Sequence, residues 1–146
     1  MSLADWEKHG WLRPHKPSKE ENTNLLEIVD RDLNDALAKG LSDDWKFGIA
    51  YNAALKLCTI LLHSSGFRPE KALAHFRTLQ ALPEVLGTKH KANADYLDTC
   101  RKKRNETEYD VAGNVSADEV AELMKFCIEL KSETLAWLKK NHPKLI

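Results

Sequence analysis

Residues 43–64 carry Trp45, Phe47, Ile49, Ala50, Ala53, Ala54, Leu55, Leu57, Ile60, Leu61 and Leu62. Wound as an α-helix, this segment is apolar around most of its circumference. A helix of that kind has to be enclosed by others, so it predicts the centre of a helical bundle. Its ends are marked as well. Ser42 suits an N-cap, Asp43 and Asp44 place acids in the first turn, and Gly66 closes the far end.

The rest of the chain is punctuated for helices. Ser18 and Glu21 have capping-box spacing ahead of a helix over about 20–39, where Leu26, Val29, Leu33, Ala36 and Leu37 form one stripe before Gly40. Pro69 opens a third helix over about 69–82, anchored by Phe76 and Leu79. Pro83 should stop or kink it, leaving a single turn at 84–86 and a basic loop at 88–92. A fourth helix is expected over about 93–109. Ser116 and Glu119 form a second capping box, ahead of a helix over about 117–140 with Val120, Leu123, Cys127, Leu130, Thr134 and Leu138 on its inner face. Hairpin turns and period-two strand runs are nearly absent. Residues 1–17 read as an extended arm whose indoles, Trp6 and Trp11, dock on the bundle or meet an aromatic partner. The expected fold is all-α, an up-and-down bundle of four or five helices formed by residues 18–146 as a single domain.

Composition narrows the function. The 146 residues hold 22 basic and 22 acidic side chains, a net charge of zero, which argues against a constitutive duplex-DNA binder. Cys58, Cys100 and Cys127 are widely spaced and odd in number, so reduced, packed thiols are expected. No apolar run is long enough for a membrane span, and the acidic start MSLADWEKHG is unlike a signal peptide. A cytoplasmic protein is expected.

The densest polar cluster is RKKRNETEYD, residues 101–110. On a helix, Arg104 lies about 20° around the axis from Leu97, so it shares the inward stripe with Leu97 and Cys100. An arginine there must be paired, or sit at a cleft or interface. One reading is an i,i+4 pair with Glu108. The other is an anion site, with Arg104 as a planar fork, Asn105 beside it, and Arg101, Lys102 and Lys103 adding positive potential.

This stretch, followed by the capped helix 116–138 and preceded by the central string DWKFGIAYNAAL, resembles the HEPN domains (higher eukaryotes and prokaryotes nucleotide-binding) over about residues 20–140. The resemblance implies a helical bundle that binds RNA or nucleotide. In HEPN ribonucleases an Arg and, after a short spacer, a His from each of two protomers meet at a dimer interface and cleave RNA without metal. The Arg stabilises transition-state charge and the His moves the 2′-hydroxyl proton. Arg104 matches that Arg and Asn105 its polar neighbour, while Tyr109 stands where the His belongs. A phenol is a poor base at neutral pH, so Arg104, Asn105 and Tyr109 are the candidate catalytic set of a weak or inactive enzyme. The resemblance further implies a homodimer, a toxin–antitoxin or conflict setting, and a nucleotidyltransferase-like protein partner. A metal-independent endoribonuclease acting through Arg104 and a purely structural helical adaptor are the alternatives.

Other polar residues need partners. Asp32 borders the first helix's apolar stripe and Asn52 interrupts the central one, so a network of Asp32, Asn52, Arg104 and Tyr109 is expected. His63 and His75 are the histidines expected within helices; a local dipole or hydrogen-bonding role is their default. No HExxH motif and no clustered His/Cys spacing occurs, so neither a metal nor another cofactor is expected.

Overall fold

The computed structural model describes all 146 residues and is an all-α bundle with one short two-stranded ribbon. Its helices are α1 (Leu3–Lys8), α2 (Lys19–Asp35), α3 (Asp43–Ser64), α4 (Ala74–Gln80), α5 (Leu82–Leu86), α6 (Lys91–Tyr109) and α7 (Ala117–Asn141). The strands are β1 (Leu12–Pro14) and β2 (Phe67–Pro69). No helix is long and apolar enough to cross a membrane.

α3 lies at the centre, as its all-round apolarity requires, and packs against α2, α4, α6 and α7. Ala50, Ala53 and Ala54 are fully buried and let neighbouring helices come close. Leu57, Ile60 and Leu61 of α3 meet Val29, Leu97, Leu123 and Leu138 in one continuous core. Removing a leucine from such a core costs about 2–5 kcal/mol, because neighbours only partly fill the void. Cys58, Cys100 and Cys127 are free thiols sealed in this core. Burial pushes Cys58 and Cys127 up to about 12 and Cys100 up to about 11.

Several local expectations are corrected. Residues 1–17 are not a wholly extended arm. Ser2 accepts from the Asp5 amide and the Asp5 carboxylate answers the Ser2 amide, a capping box that starts α1. β1 then pairs antiparallel with β2, Arg13 opposite Arg68. Trp6 and Leu12 close over Leu62 and Ala81 in a second small core, and Trp11 stacks under Arg77 at 4.0 Å. The third helix does not begin at Pro69, which is in β2; α4 starts only at Ala74, after Leu73 takes a left-handed φ of 58°. The break expected near Pro83 is present: α4 ends at Gln80, and Pro83 sits in the first turn of the separate short helix α5, where its missing N–H is harmless. The basic segment 88–92 is a single 3-10 turn running into α6. α2 ends at Asp35 rather than residue 39, which leaves Leu37 exposed instead of on the inner stripe.

Candidate functional site

Arg104 and Arg101 project from α6 toward α3 and α4. The turn-spaced pair lies on the side of α6 that also carries buried Leu97 and Cys100, so their stems pack while their guanidinium groups reach the rim. The Arg104 guanidinium carbon is 5.8 Å from the centre of the Tyr51 ring, and that of Arg101 is 5.8 Å from the centre of the Phe76 ring. Tyr51, on α3, is 1% exposed, and its hydroxyl has no hydrogen-bond partner. His75, at the start of α4, lies 6.4 Å from Tyr51, ring centre to ring centre. Partial burial lowers the His75 pKa, and the charges of Arg104, Lys56 and Arg101 lower it further. Burial likewise raises the Tyr51 phenol well above its ordinary range, against the pull of Arg101 and Arg104. Arg104 and the His75 imidazole therefore lie near the Tyr51 ring, whose buried hydroxyl lacks a partner.

Two carboxylates temper this charge. Arg101 Nε donates to Asp98 at 2.8 Å, and Arg104 Nε lies 3.3 Å from Glu108. The second contact is an ion pair without hydrogen-bond alignment, and the buried Arg104 Nε stays unsatisfied. The i,i+4 pair anticipated for Arg104 and Glu108 is thus formed, with donor capacity left over. Arg104 Nη1 also donates to Asn105 at 3.2 Å, so Asn105 supports the fork.

The other basic residues diverge. Lys103 turns to Glu119 on α7, and Lys102 extends into solvent, 3.5 Å from Asp98. Neither joins the cluster, so the positive field comes from Arg101, Arg104 and Lys56 rather than from the run 101–104. Tyr109 is 75% exposed and does not face Arg104 across the bundle interior. With Trp45, Ser42 and Thr107 it borders an open groove of about 580 Å³ that Glu108 also lines. The expected network also divides. Asn52 donates to Asp32 between α3 and α2, and Asp32 accepts from Arg31, with Arg104 and Tyr109 outside it.

Sequence pattern places His75 on a helix but does not show that it meets the α6 cluster. His75 stands apart in sequence from the α6 cluster, and only the turn at Leu73 and the packing of α4 on α6 bring it there. The one available signal is the aromatic neighbour Phe76, which the helical pattern points inward. No family model, curated protein or solved structure matches the chain.

Proposed function

We propose that this chain is a HEPN-like protein that binds RNA or nucleotide through its phosphate at the Arg101 and Arg104 guanidinium groups, with little or no cleavage. The observation that carries the reading is the partnerless Tyr51 hydroxyl, buried beside Arg104 and His75. A phosphate oxygen would accept from the guanidinium N–H groups at the rim, and from the sealed hydroxyl once the Arg104 side chain moves aside. Exposed Trp45 and Tyr109, on the far side of Glu108, supply flat faces on which an unpaired base would stack. Asp98 and Glu108 limit the net charge, which suits modest affinity and matches a chain of zero net charge.

Fluorescence anisotropy with a labelled single-stranded RNA, competed by nucleotides, tests this reading. Saturable binding that Arg104→Ala weakens at least tenfold supports it. Absence of wild-type binding at millimolar nucleotide and at high micromolar RNA would remove it.

A second reading has a specific observation behind it. His75, held neutral by its surroundings, has the form a proton acceptor needs beside Arg104. In an endoribonuclease built this way, the 2′-oxygen attacks the adjacent phosphorus while His75 takes its proton, and the P–O5′ bond breaks to leave a 2′,3′-cyclic phosphate and a 5′-hydroxyl protonated by water. A gel assay on single-stranded RNA, comparing wild type with Arg104→Ala and His75→Gln, separates cleavage from binding alone. Pairing of two copies, and a nucleotidyltransferase-like partner, belong to the same proposal; light scattering alone and in mixtures tests them.

A further inference from the structure

At the opposite end of α3 from Trp45, three side chains from separate elements converge. His15 follows β1, Glu21 sits in the first turn of α2, and His63 in the last turn of α3. His15 Nε2 is 3.0 Å from both Glu21 carboxylate oxygens, and His63 Nδ1 is 2.8 Å from Glu21 Oε1. The two imidazole rings lie 4.1 Å apart, centre to centre. All the donor atoms fall within 4.8 Å of one another.

We propose that His15, Glu21 and His63 form a binding site for a single divalent metal of the zinc class. Two imidazoles and a carboxylate are an established donor set for Zn²⁺, and bonds of about 2.0–2.1 Å put tetrahedral ligands about 3.4 Å apart. The histidine–carboxylate spacings of 2.8 and 3.0 Å lie just below that value, and no donor pair exceeds 4.8 Å, so small rotations of the side chains admit the ion. All three residues are half-buried, which leaves a solvent-facing fourth position for water. The supporting layer is already in place. The His15 amide donates to the Gly66 carbonyl at 2.8 Å, which fixes the backbone of one ligand. Asn22 donates to Ser64 at 3.0 Å, pinning α2 to α3 one residue beyond the other two.

The capping pattern adds an independent sign. Ser18 accepts from the Glu21 amide at 3.1 Å, yet Glu21 does not return the bond to the Ser18 backbone as a capping box would. Ser2–Asp5 and Ser116–Glu119 both complete that exchange. Glu21 is turned instead toward two histidines, which sets its carboxylate between both imidazoles. Arg68 is the cation close enough to oppose the ion, and the Glu21 charge offsets it. Linear spacing hides the site, because its members stand at 15, 21 and 63. The proposal departs from the sequence expectation of no metal site.

Untagged protein, stripped with chelator, is titrated calorimetrically with Zn²⁺ and followed by visible absorption with Co²⁺. The expected results are one ion per chain, ligand-field bands for Co²⁺, and a melting temperature that climbs with zinc concentration. His63→Ala and Glu21→Gln should weaken binding roughly tenfold or more, while His142→Ala leaves it unchanged. Wild type without stoichiometric binding, or binding that survives in both His15→Ala and His63→Ala, would overturn the proposal. The wild-type Co²⁺ spectrum decides the matter even if a variant fails to fold. RNA binding at Arg104 is scored separately, so the two readings stand or fall apart.

Discussion

The Asn52 amide donates to the Asp32 carboxylate at 2.6 Å, while Arg104 turns to Asn105 and Glu108 instead. The bond crosses from α3 to α2, and Asp32 is 5% exposed. Asn52→Ala leaves that carboxylate with Arg31 alone, so it should cost about 1–3 kcal/mol. Anion binding should not change, because no hydrogen bond links this pair to the Arg104 guanidinium group. Urea unfolding alongside an RNA-binding titration checks both halves. Loss of binding in a stable, folded variant would show that the two polar clusters are coupled after all.

Arg104→Ala should behave in the opposite way. Its pair with Glu108 lies at the rim, where such pairs contribute under about 1 kcal/mol. Charge-assisted bonds to phosphate contribute more, about 1.5–3 kcal/mol, so affinity should fall at least tenfold. The slope of log affinity against log salt should also flatten by about 0.7 for single-stranded RNA. Arg104→Lys, which keeps the charge but loses the fork, should recover only part of the affinity.

Tyr51→Phe separates a binding group from a packing group. The hydroxyl is buried without a partner, so deleting it should leave the free protein within about 1 kcal/mol of wild type, or more stable. Phosphate binding should nonetheless weaken about tenfold or more, the worth of one lost hydrogen bond to a charged acceptor. Equal affinity in Tyr51→Phe and wild type would show that the ligand does not reach the hydroxyl.

His75 gives the site a pH dependence of predictable sign. Partial burial, then Arg104, Lys56 and Arg101, hold its folded pKa below the ordinary value of about 6.5. Between the folded and unfolded values the unfolded chain carries more proton, so stability rises with pH across that window and falls on acidification below about 6.5. His75→Gln should flatten that part of the melting profile. A bound phosphate neutralises the nearby cations and should raise the His75 pKa, so affinity should grow as pH drops. Ring-proton titration by NMR, with and without inorganic phosphate, measures the shift directly.

Much of the architecture is readable from pattern. α3 begins and ends where its caps and its unbroken apolar surface place it, since both signals are local and agree. α7 follows its stripe and its complete capping box. The departures occur where distant residues decide. β1 and β2 are too short to carry a strand pattern, and each forms only because the other lies beside it. Pro69 closes β2 instead of opening a helix, because proline fixes φ alone and suits a strand edge as well as a first turn. Arg104 is legible as an inward-stripe arginine because periodicity reports facing. The approach of His75 to Arg104, and the meeting of His15 with His63, are not, because neither shares an element with its partners.

The three thiols within the bundle turn the molecule into its own gauge of opening. Each is walled off and disfavours the reactive thiolate at neutral pH, so reagent has to wait for packing to loosen. Cys58 is carried by the central rod, while Cys100 and Cys127 ride on two helices that flank it. Their separate labelling rates therefore distinguish a flanking helix peeling away from collapse of the whole bundle.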